Sequence, residues 1–596
     1  MSIFNSYLSS SCRRTAAAYL VLLATLTAVW MWLLFAVDKT SPSLLKDLAV
    51  AGGALLALSV PYWWMRPRGR AVMLWGALIP ALIVLPNIWY FRFWGTILSP
   101  ACITMTENMG GALLESTIPL VRWYDFLIVP LGALPGMTGW LLRPLSWCPS
   151  GKEKRHILLM SGIAFLISSI LVIRVVIISA ERRWTLSDFL ESTTDVLTPS
   201  EDNMRHYLYK GPVFFTLDFI GGSLRLLFDR PLQLSHADCD RISRFIADVP
   251  SSPVVHDITE ANRSRNLIVI IAESLNADVV ESKCAGIGIT PVINALIHQP
   301  GTFSSTRIAT QTKDGNSIDG QLLINTGLLP VAQGVTVNRA SFSVTDVPSL
   351  PRIYAGHCNA AVFATDGQFW HERMVSQNLG YSKTFVIADY ESLVADYGID
   401  GGMFRKAEQL IDSGLSSPFL LQLITGSMHT PFIEKAASQL PPVPGQSELM
   451  RRYLAATHYF DLELGRFIEF LKKKGIYDDT MIVVVSDHTH DIEPDSGRGA
   501  DKRCFAAFIN CGISGISDRD AGQVNIFPTI LALTGATDTL SYHGLSDNLF
   551  SPDLRGAVDG RGDIIGIPPA SSGDAFSISE HIWRGNYFGH CGNAQK

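Results

Sequence analysis

Charge is scarce in this 596-residue chain: only 17% of residues are Asp, Glu, Lys or Arg, against 47% that are hydrophobic. With a mean hydropathy of +0.22, that shortage excludes an ordinary soluble protein. A basic excess is also lacking, the formal net charge being -6, so nucleic acid is not an expected partner. No CxxC pair and no zinc-type spacing occurs among the nine cysteines. Six of them, Cys239, Cys284, Cys358, Cys504, Cys511 and Cys591, lie in the C-terminal part. An oxidising compartment would permit disulfides there, but the sequence assigns no pairs. Internal repeats and low-complexity tracts are absent as well, which excludes a repeat architecture.

What the chain has in abundance is long apolar runs, all before about residue 180. Roughly five stretches approach the ~20 residues a helix needs to cross a bilayer. They run from Thr15 to Val37, Leu45 to Trp64, Ala71 to Tyr90, Leu120 to Leu142 and Ile157 to Ala180. Their succession, short polar loops and missing amphipathic periodicity favour membrane spans over buried core helices. The first run is too long, and too far from any small-residue cleavage site, for a removable signal peptide, so it is expected to persist as an anchor.

Basic residues orient the spans, since Lys and Arg are retained on the cytoplasmic side. Arg13 and Arg14, then Arg66, Arg68 and Arg70, then Arg143, Lys152, Lys154 and Arg155 mark that side, while the loops Asp38 to Ser43 and Phe91 to Pro119 carry little positive charge. An odd number of spans puts everything after Ala180 outside; Arg182 and Arg183 speak mildly against this. The run Val213 to Phe228 is marginal in length and contains Asp218 and Arg225, so it reads as linker near the membrane surface and not as a further span.

From Asn266 onward, short β-branched runs alternate with helical stretches, the pattern of an α/β domain with a largely parallel sheet. Strands are expected over Leu267 to Ala272, Ala360 to Ala364, Phe419 to Thr425, Met481 to Val485 and Phe505 to Ile509. Helices are expected near Pro291 to Ala295, Ile318 to Thr326, Leu449 to Lys474 and Val524 to Leu533. The last twenty or so residues, with scattered Gly and Ser, read as poorly structured. The expected division is an all-α polytopic membrane domain over 1–180, a juxtamembrane linker over 181–265, an α/β catalytic domain over 266–575 and a tail over 576–596.

Ligands of open α/β sheets lie beyond the carboxyl ends of the strands, and polar residues recur at that place. Glu273 follows NLIVIIA, His429 follows the run ending at Thr425, and Asp487 and His488 follow MIVVVS. One such acid is more often a helix cap; the recurrence is what signals a site. An Asp, a His and a Glu can hold a divalent metal and leave positions open for a substrate oxygen. In QTKDGNSIDGQLL, Gln311 to Leu323, Ser317 stands after a glycine turn at a helix start, where the helix N-terminus favours a phosphate. Alone it would read as a helix cap, and the residue types leave Thr312 and Ser317 both open as nucleophile.

These motifs, in this order, resemble the lipoteichoic acid synthase branch of the alkaline phosphatase and sulfatase superfamily, and the resemblance covers nearly the whole chain. The matching segments are IIAESLN with Glu273, the Q-T-x-x-G-x-[TS]-x-D frame on Gln311, Thr312, Gly315, Ser317 and Asp319, and the aromatic stretch Ala364 to Tyr381. They continue with TGSMHTPF from Thr425 to Phe432, the helix Tyr453 to Ile468 and the motif Ser486 to His488.

The resemblance implies an alkaline-phosphatase-like fold and places Ser317, not Thr312, as nucleophile, where better known members have threonine. It implies one divalent metal, manganese or magnesium with zinc as the other option, held by Glu273, Ser317, Asp487 and His488. His429 is implied to serve catalysis and to bind phosphate oxygens. Asp366, Trp370 and Arg373 are implied to bind the headgroup, although the spacing around Trp370 departs from the family pattern and His371 is an alternative. His490 is either a partner of the metal ligands or a surface residue.

The implied reaction moves a phospho-headgroup, first of all phosphoglycerol from phosphatidylglycerol, through a covalent seryl ester. The implied partners are a membrane phospholipid donor and an extracytoplasmic glycan or glycolipid acceptor, and the implied location is the bacterial cytoplasmic (inner) membrane, multi-pass, with the catalytic domain outside. Phosphoethanolamine transfer is the alternative chemistry, and an inactive regulatory membrane protein of the same fold is the alternative class. A sulfatase requires Cys or Ser in a C/S-x-P-x-R frame; Ser317 is followed by Ile318 and Asp319, which excludes sulfate chemistry. Headgroup, acceptor and oligomeric state are not legible.

Overall fold

The computed structural model describes residues 10–37, 62–94 except 64, 98, 121–142, 216, 219–224 and, apart from scattered positions and 493–502, residues 226–591. Two compact units divide the chain at Arg225 and Leu226.

The first unit is helical. Helices α1 (Ser10–Val37), α2 (Pro67–Gly76), α3 (Leu78–Trp94) and α4 (Ile128–Leu142) are described. Val29, Trp30 and Leu33 of α1 pack with Ala81, Val84 and Ile88 of α3 and with Ile128. Buried Asp125 accepts two hydrogen bonds from the Arg92 guanidinium and one from Trp89 Nε1, so this buried charge is paired and hydrogen-bonded within the unit. Among the described residues, two segments, Arg14–Leu33 and Pro67–Tyr90, are long and apolar enough to cross a membrane. The fourth expected span is a 3-10 turn followed by the 15-residue α4, shorter than the ~20 residues of a perpendicular span. The second, except Tyr62 and Trp63, and the fifth lie outside the described residues.

The second unit is a three-layer α/β domain. Its elements in chain order are α5 (His236–Asp248), α6 (His256–Arg263), β1 (Asn266–Ala272), α7 (Pro291–Ile297), β2 (Phe303–Ala309), α8 (Ser317–Thr326), β3 (Cys358–Phe363), α9 (Glu372–Leu379), β4 (Thr384–Phe385), α10 (Ile399–Ser413) and β5 (Phe419–Ile424). There follow α11 (Glu448–Lys473), β6 (Thr480–Ser486), β7 (Cys504–Ile509), β8 (Gly515–Ser517), β9 (Ala521–Gly522), α12 (Ile526–Leu533), β10 (Arg555–Val558), β11 (Ile564–Ile567) and α13 (Ser572–Gly585). The main sheet runs β8-β2-β7-β6-β1-β5-β3-β4, with β9 paired to β2. All its pairings are parallel except those of β7, which is antiparallel to both β6 and β2.

β1 is buried along its whole length, as expected of a central strand covered on both faces. Its residues alternate: Val269 and Ile271 join the core under α5, α8, α12 and α13, while Ile268 and Ile270 join the core under α7, α10 and α11. Register then decides where chemistry can occur. Ile271 lies opposite Ile424 of β5, and Ala272 lies opposite Ser486 of β6. The next residue on each strand, Glu273, Thr425 and Asp487, therefore leaves the sheet at one edge.

Two boundaries differ from expectation. The segment expected as linker contributes α5 and α6 to the catalytic unit, with Ile242 and Ile246 buried in its core. The expected tail is ordered as far as Cys591: α13 buries Trp583, whose Nε1 donates to Leu329 O at 2.9 Å, and Cys591 is joined to Cys239 of α5 by a disulfide. Cys284, Cys358, Cys504 and Cys511 are free. The composition of the tail misled because amphipathic α13 places Ala575, Ile578, Ile582 and Trp583 on one buried face, and that spacing outweighs the Gly and Ser between them.

Candidate active site

Glu273, Asp487 and His488 are all buried, and one ligand atom from each lies within 4.8 Å of the others. The strand ends produce this grouping, and the backbone around them is tailored to it. Ser274 takes φ 52, an uncommon left-handed conformation for a serine. From there its N–H donates to Asp487 Oδ1 at 2.8 Å, and its hydroxyl donates to Glu273 Oε1 at 2.9 Å. The Glu273 N–H donates to Thr425 Oγ1 at 2.9 Å.

Burial and charge set the three groups against one another. Burial pushes the Asp487 carboxyl well above the ordinary carboxylate range, and the Glu273 charge adds to the push. Burial also opposes ionisation of Glu273, but the charges of His488 and His429 and hydrogen bonding to His488 outweigh it and hold that carboxyl below its usual range. Burial disfavours a charged His488, yet Asp487 and Glu273 together raise it well above the usual imidazole value. Two buried carboxylates are thus competing for one positive charge.

A divalent cation fits these residues. Asp487 Oδ2 is buried without a hydrogen-bond partner among the described residues, with His488 Nε2 3.6 Å away. His488 Nδ1 donates to Thr489 O at 2.9 Å; a carbonyl only accepts, so this bond fixes a proton on Nδ1 and leaves Nε2 as the ring nitrogen facing the cluster, the atom that would lose its proton to ligate a cation.

Ser317 is the first residue of α8 and only half-buried. Its hydroxyl donates to Glu273 Oε2 at 3.0 Å, and its oxygen lies 3.1 Å from His488 Nε2. Two local features bring it there. Gly320 lets α8 approach the end of β6, since a Cβ would come within 2.4 Å of Asp487 O. Asp319 shapes the preceding loop by accepting the N–H groups of Lys313 and Gly315 at 3.0 Å each and the Thr336 hydroxyl at 3.2 Å. Thr312, the other hydroxyl in the motif, is buried, and the Gln311 amide beside it bonds to Val524 and Val558.

The remaining expected residues are placed differently from one another. His429 is half-buried, with Nδ1 donating to Thr430 O at 2.7 Å, and is near enough for its charge to act on Glu273. Trp370 and His371 both have positive φ, 54 and 53, and Trp370 is buried in the core. Asp366 is exposed. Arg373 is engaged outside the cluster, pairing with Asp389 at 2.7 Å and donating to Thr384 O at 3.2 Å. His490 is buried, not a surface residue: its ring meets Tyr453 edge-on, with centroids 4.5 Å apart, and its Nδ1 accepts the Ile492 N–H.

Two family models match the chain in succession, the lipoteichoic acid synthase N-terminal domain over residues 3–186 and the sulfatase domain over residues 265–536. Over 559 residues the chain is 26% identical to lipoteichoic acid synthase 2 of Bacillus subtilis, spanning 89% of this chain and 82% of that protein. Both parts of the chain are thus similar, in the same order, to those of lipoteichoic acid synthases. The lipoteichoic acid synthase of Staphylococcus aureus is likewise 24% identical over 549 residues, 86% of this chain and 79% of that one. In fold, the chain resembles lipooligosaccharide phosphoethanolamine transferase A of Neisseria meningitidis, with a TM-score of 0.50 at 12% identity over 88% of this chain and 96% of that one. The chain is an enzyme, as its relatives over most of its length, named lipoteichoic acid synthases, are.

Sequence reasoning missed Gln523, whose amide donates to the carbonyls of Ser486 and Asp487 and so holds the end of β6. It also missed Glu372, next to the strained Trp370–His371 pair. Glu372 is buried and accepts from the Thr365 hydroxyl and from Gln321 Nε2 of α8. A carboxylate inside an apolar stretch is the only signal, and it looks like any exposed helix residue. Burial pushes Glu372 up from 4.5 to about 7, against the pull of those hydrogen bonds. Because the folded value is the higher one, its contribution to stability is present below pH 4.5 and is lost as pH rises through about 7. Glu372→Gln is therefore expected to stabilise the protein by roughly 3 kcal/mol at pH 8 and by under about 1 kcal/mol at pH 5. Denaturation at the two pH values measures it, and a variant weaker than wild type at pH 8 would contradict the assignment.

Proposed function

We propose that the chain transfers a phospho-headgroup, first of all phosphoglycerol from phosphatidylglycerol, to an extracytoplasmic glycan, glycolipid or polymer through a covalent Ser317 ester. The observation that carries this reading is the Ser317 hydroxyl bridging Glu273 and His488 at 3.0 and 3.1 Å. A nucleophile bonded to both a carboxylate and an imidazole, at a helix N-terminus, suits attack on an anionic phosphodiester.

In this reading Glu273, Asp487, His488 and Ser317 hold one divalent cation, manganese or magnesium with zinc as a further option. Bound there, such an ion lowers the proton affinity of a coordinated hydroxyl and offsets phosphate charge. Ser317 Oγ attacks phosphorus and loses its proton, and the bond to the diacylglycerol oxygen breaks, that oxygen taking up a proton. An acceptor hydroxyl next attacks the seryl ester, its own proton departs, and Ser317 Oγ is released as the hydroxyl. His429 donates a hydrogen bond to phosphate oxygens or shuttles one of these protons. Asp366, Trp370 and Arg373 bind the headgroup, Arg373 after exchanging Asp389 for the ligand. The chain spans the cytoplasmic membrane several times through residues 1–180, with the catalytic unit outside, so the donor lies in the bilayer beside the site.

Full-length protein given phosphatidylglycerol with a labelled headgroup is expected to release diacylglycerol and to carry the label on Ser317. Label transfer from phosphatidylethanolamine alone would replace the donor and keep the mechanism. Release from neither lipid would overturn the reading.

A further inference from the structure

The turn that carries His429 is held from below by a residue 26 positions earlier in the chain. Asp400, the second residue of α10, is fully buried, and its Oδ1 accepts the N–H groups of Gly426 at 2.7 Å and Ser427 at 3.1 Å. The connection is reciprocal. The Asp400 N–H donates to Ser427 Oγ at 3.3 Å, and Glu434 Oε2 accepts both the Ile399 N–H at 2.9 Å and the Ser427 hydroxyl at 3.3 Å.

The turn has no slack on its other side. A Cβ at Gly426 would lie 2.5 Å from Ala364 O, at the end of β3. The turn also joins two parts of the candidate site: Thr425 just before it accepts the Glu273 N–H, and the His429 N–H donates to Gly426 O at 3.0 Å. A buried carboxylate with two backbone N–H donors is a stiff anchor, because charge-assisted bonds in a low-dielectric interior are strong and costly to break.

We propose that Asp400 is a positioning residue for the transfer reaction, clamping the Gly426–Ser427 turn so that His429 stands at the reacting phosphate. This rests on the role given above to His429. A clamp of this kind acts on orientation, and small misplacements of a catalytic group cost turnover steeply.

The test is a double-mutant cycle on the full chain, with diacylglycerol release and melting temperature measured for wild type, Asp400→Ala, His429→Ala and the double variant. Asp400→Ala is expected to lower turnover on the order of tenfold or more when His429 is present and less than about twofold in the His429→Ala background. Asp400→Asn keeps an oxygen acceptor for the turn and is expected to recover most of the lost turnover. Equal losses in both backgrounds, in a slow but measurable His429→Ala enzyme, would overturn the clamp and leave the transfer reading intact. A His429→Ala enzyme as fast as wild type would remove the role of His429, and with it the route by which Asp400 acts.

Discussion

Ser317→Ala is expected to abolish turnover, by at least about 10⁴-fold, because the variant should keep the fold and lose the atom proposed to form the covalent ester. The geometry argues for a clean result. Ser317 is half-buried at the first position of α8, a place where alanine is well tolerated. Its hydroxyl bonds only to Glu273 and His488, so its removal leaves the hydrophobic contacts of Ile318, Leu322 and Leu323 in place. Intact mass of wild-type protein incubated with donor lipid should show the added headgroup, and the variant should show none. Ser317→Thr keeps the oxygen and should retain measurable transfer. A Ser317→Ala protein that still supports the cellular phenotype would favour a regulatory role for this fold.

Removing the metal is the second large effect. A chelator should lower turnover and melting temperature together, and manganese or magnesium should restore both. The stability arm follows from mass action: an ion at a hundred times its dissociation constant adds about 2.7 kcal/mol. Asp487→Asn separates the two arms. It removes a ligand and should cost turnover at least about 10²-fold, more than the loss of a group that merely supports a ligand. It also removes one of two carboxylates that repel in the interior, so the metal-free variant should melt no lower than metal-free wild type. The variant's melting temperature should then be insensitive to added metal. A wild-type protein whose activity and melting temperature both ignore the chelator would sink the metal assignment.

How much of this was legible beforehand differs by element. β1 and β6 were readable because uninterrupted apolar runs of this length fit a strand buried on both faces, and β5 because its run is broken only by Gln422. β2 was not: FSSTRIA alternates polar with apolar residues and includes Arg307, so it does not stand out from loop. α9, α10 and α13 escaped for a related reason. Their apolar faces are interrupted by Gly, Ser and charged residues, and amphipathic periodicity shows only once the buried side is known. The candidate site was more legible than the fold around it, because Glu273, Asp487 and His488 directly follow readable strands, and Ser317 lies in a motif. Arg373 shows the limit: a residue type and an approximate position did not reveal that Asp389 and Thr384 already engage it.

The sequence by itself determined the two-part organisation, the α/β class of the catalytic unit and the order of the metal and nucleophile motifs, since each depends on residues near one another in the chain. Tertiary structure alone decided the rest. Strand register brought Glu273 level with Asp487, close approach at Gly320 brought Ser317 to them, and Cys239 was paired with Cys591 across 352 residues. Glu372 was joined to Gln321 across 51 residues, and Asp400 to Gly426 across 26. The physical reason is common to all of these. A buried polar group must find its partner wherever the packed core places it, and packing is a property of the whole fold.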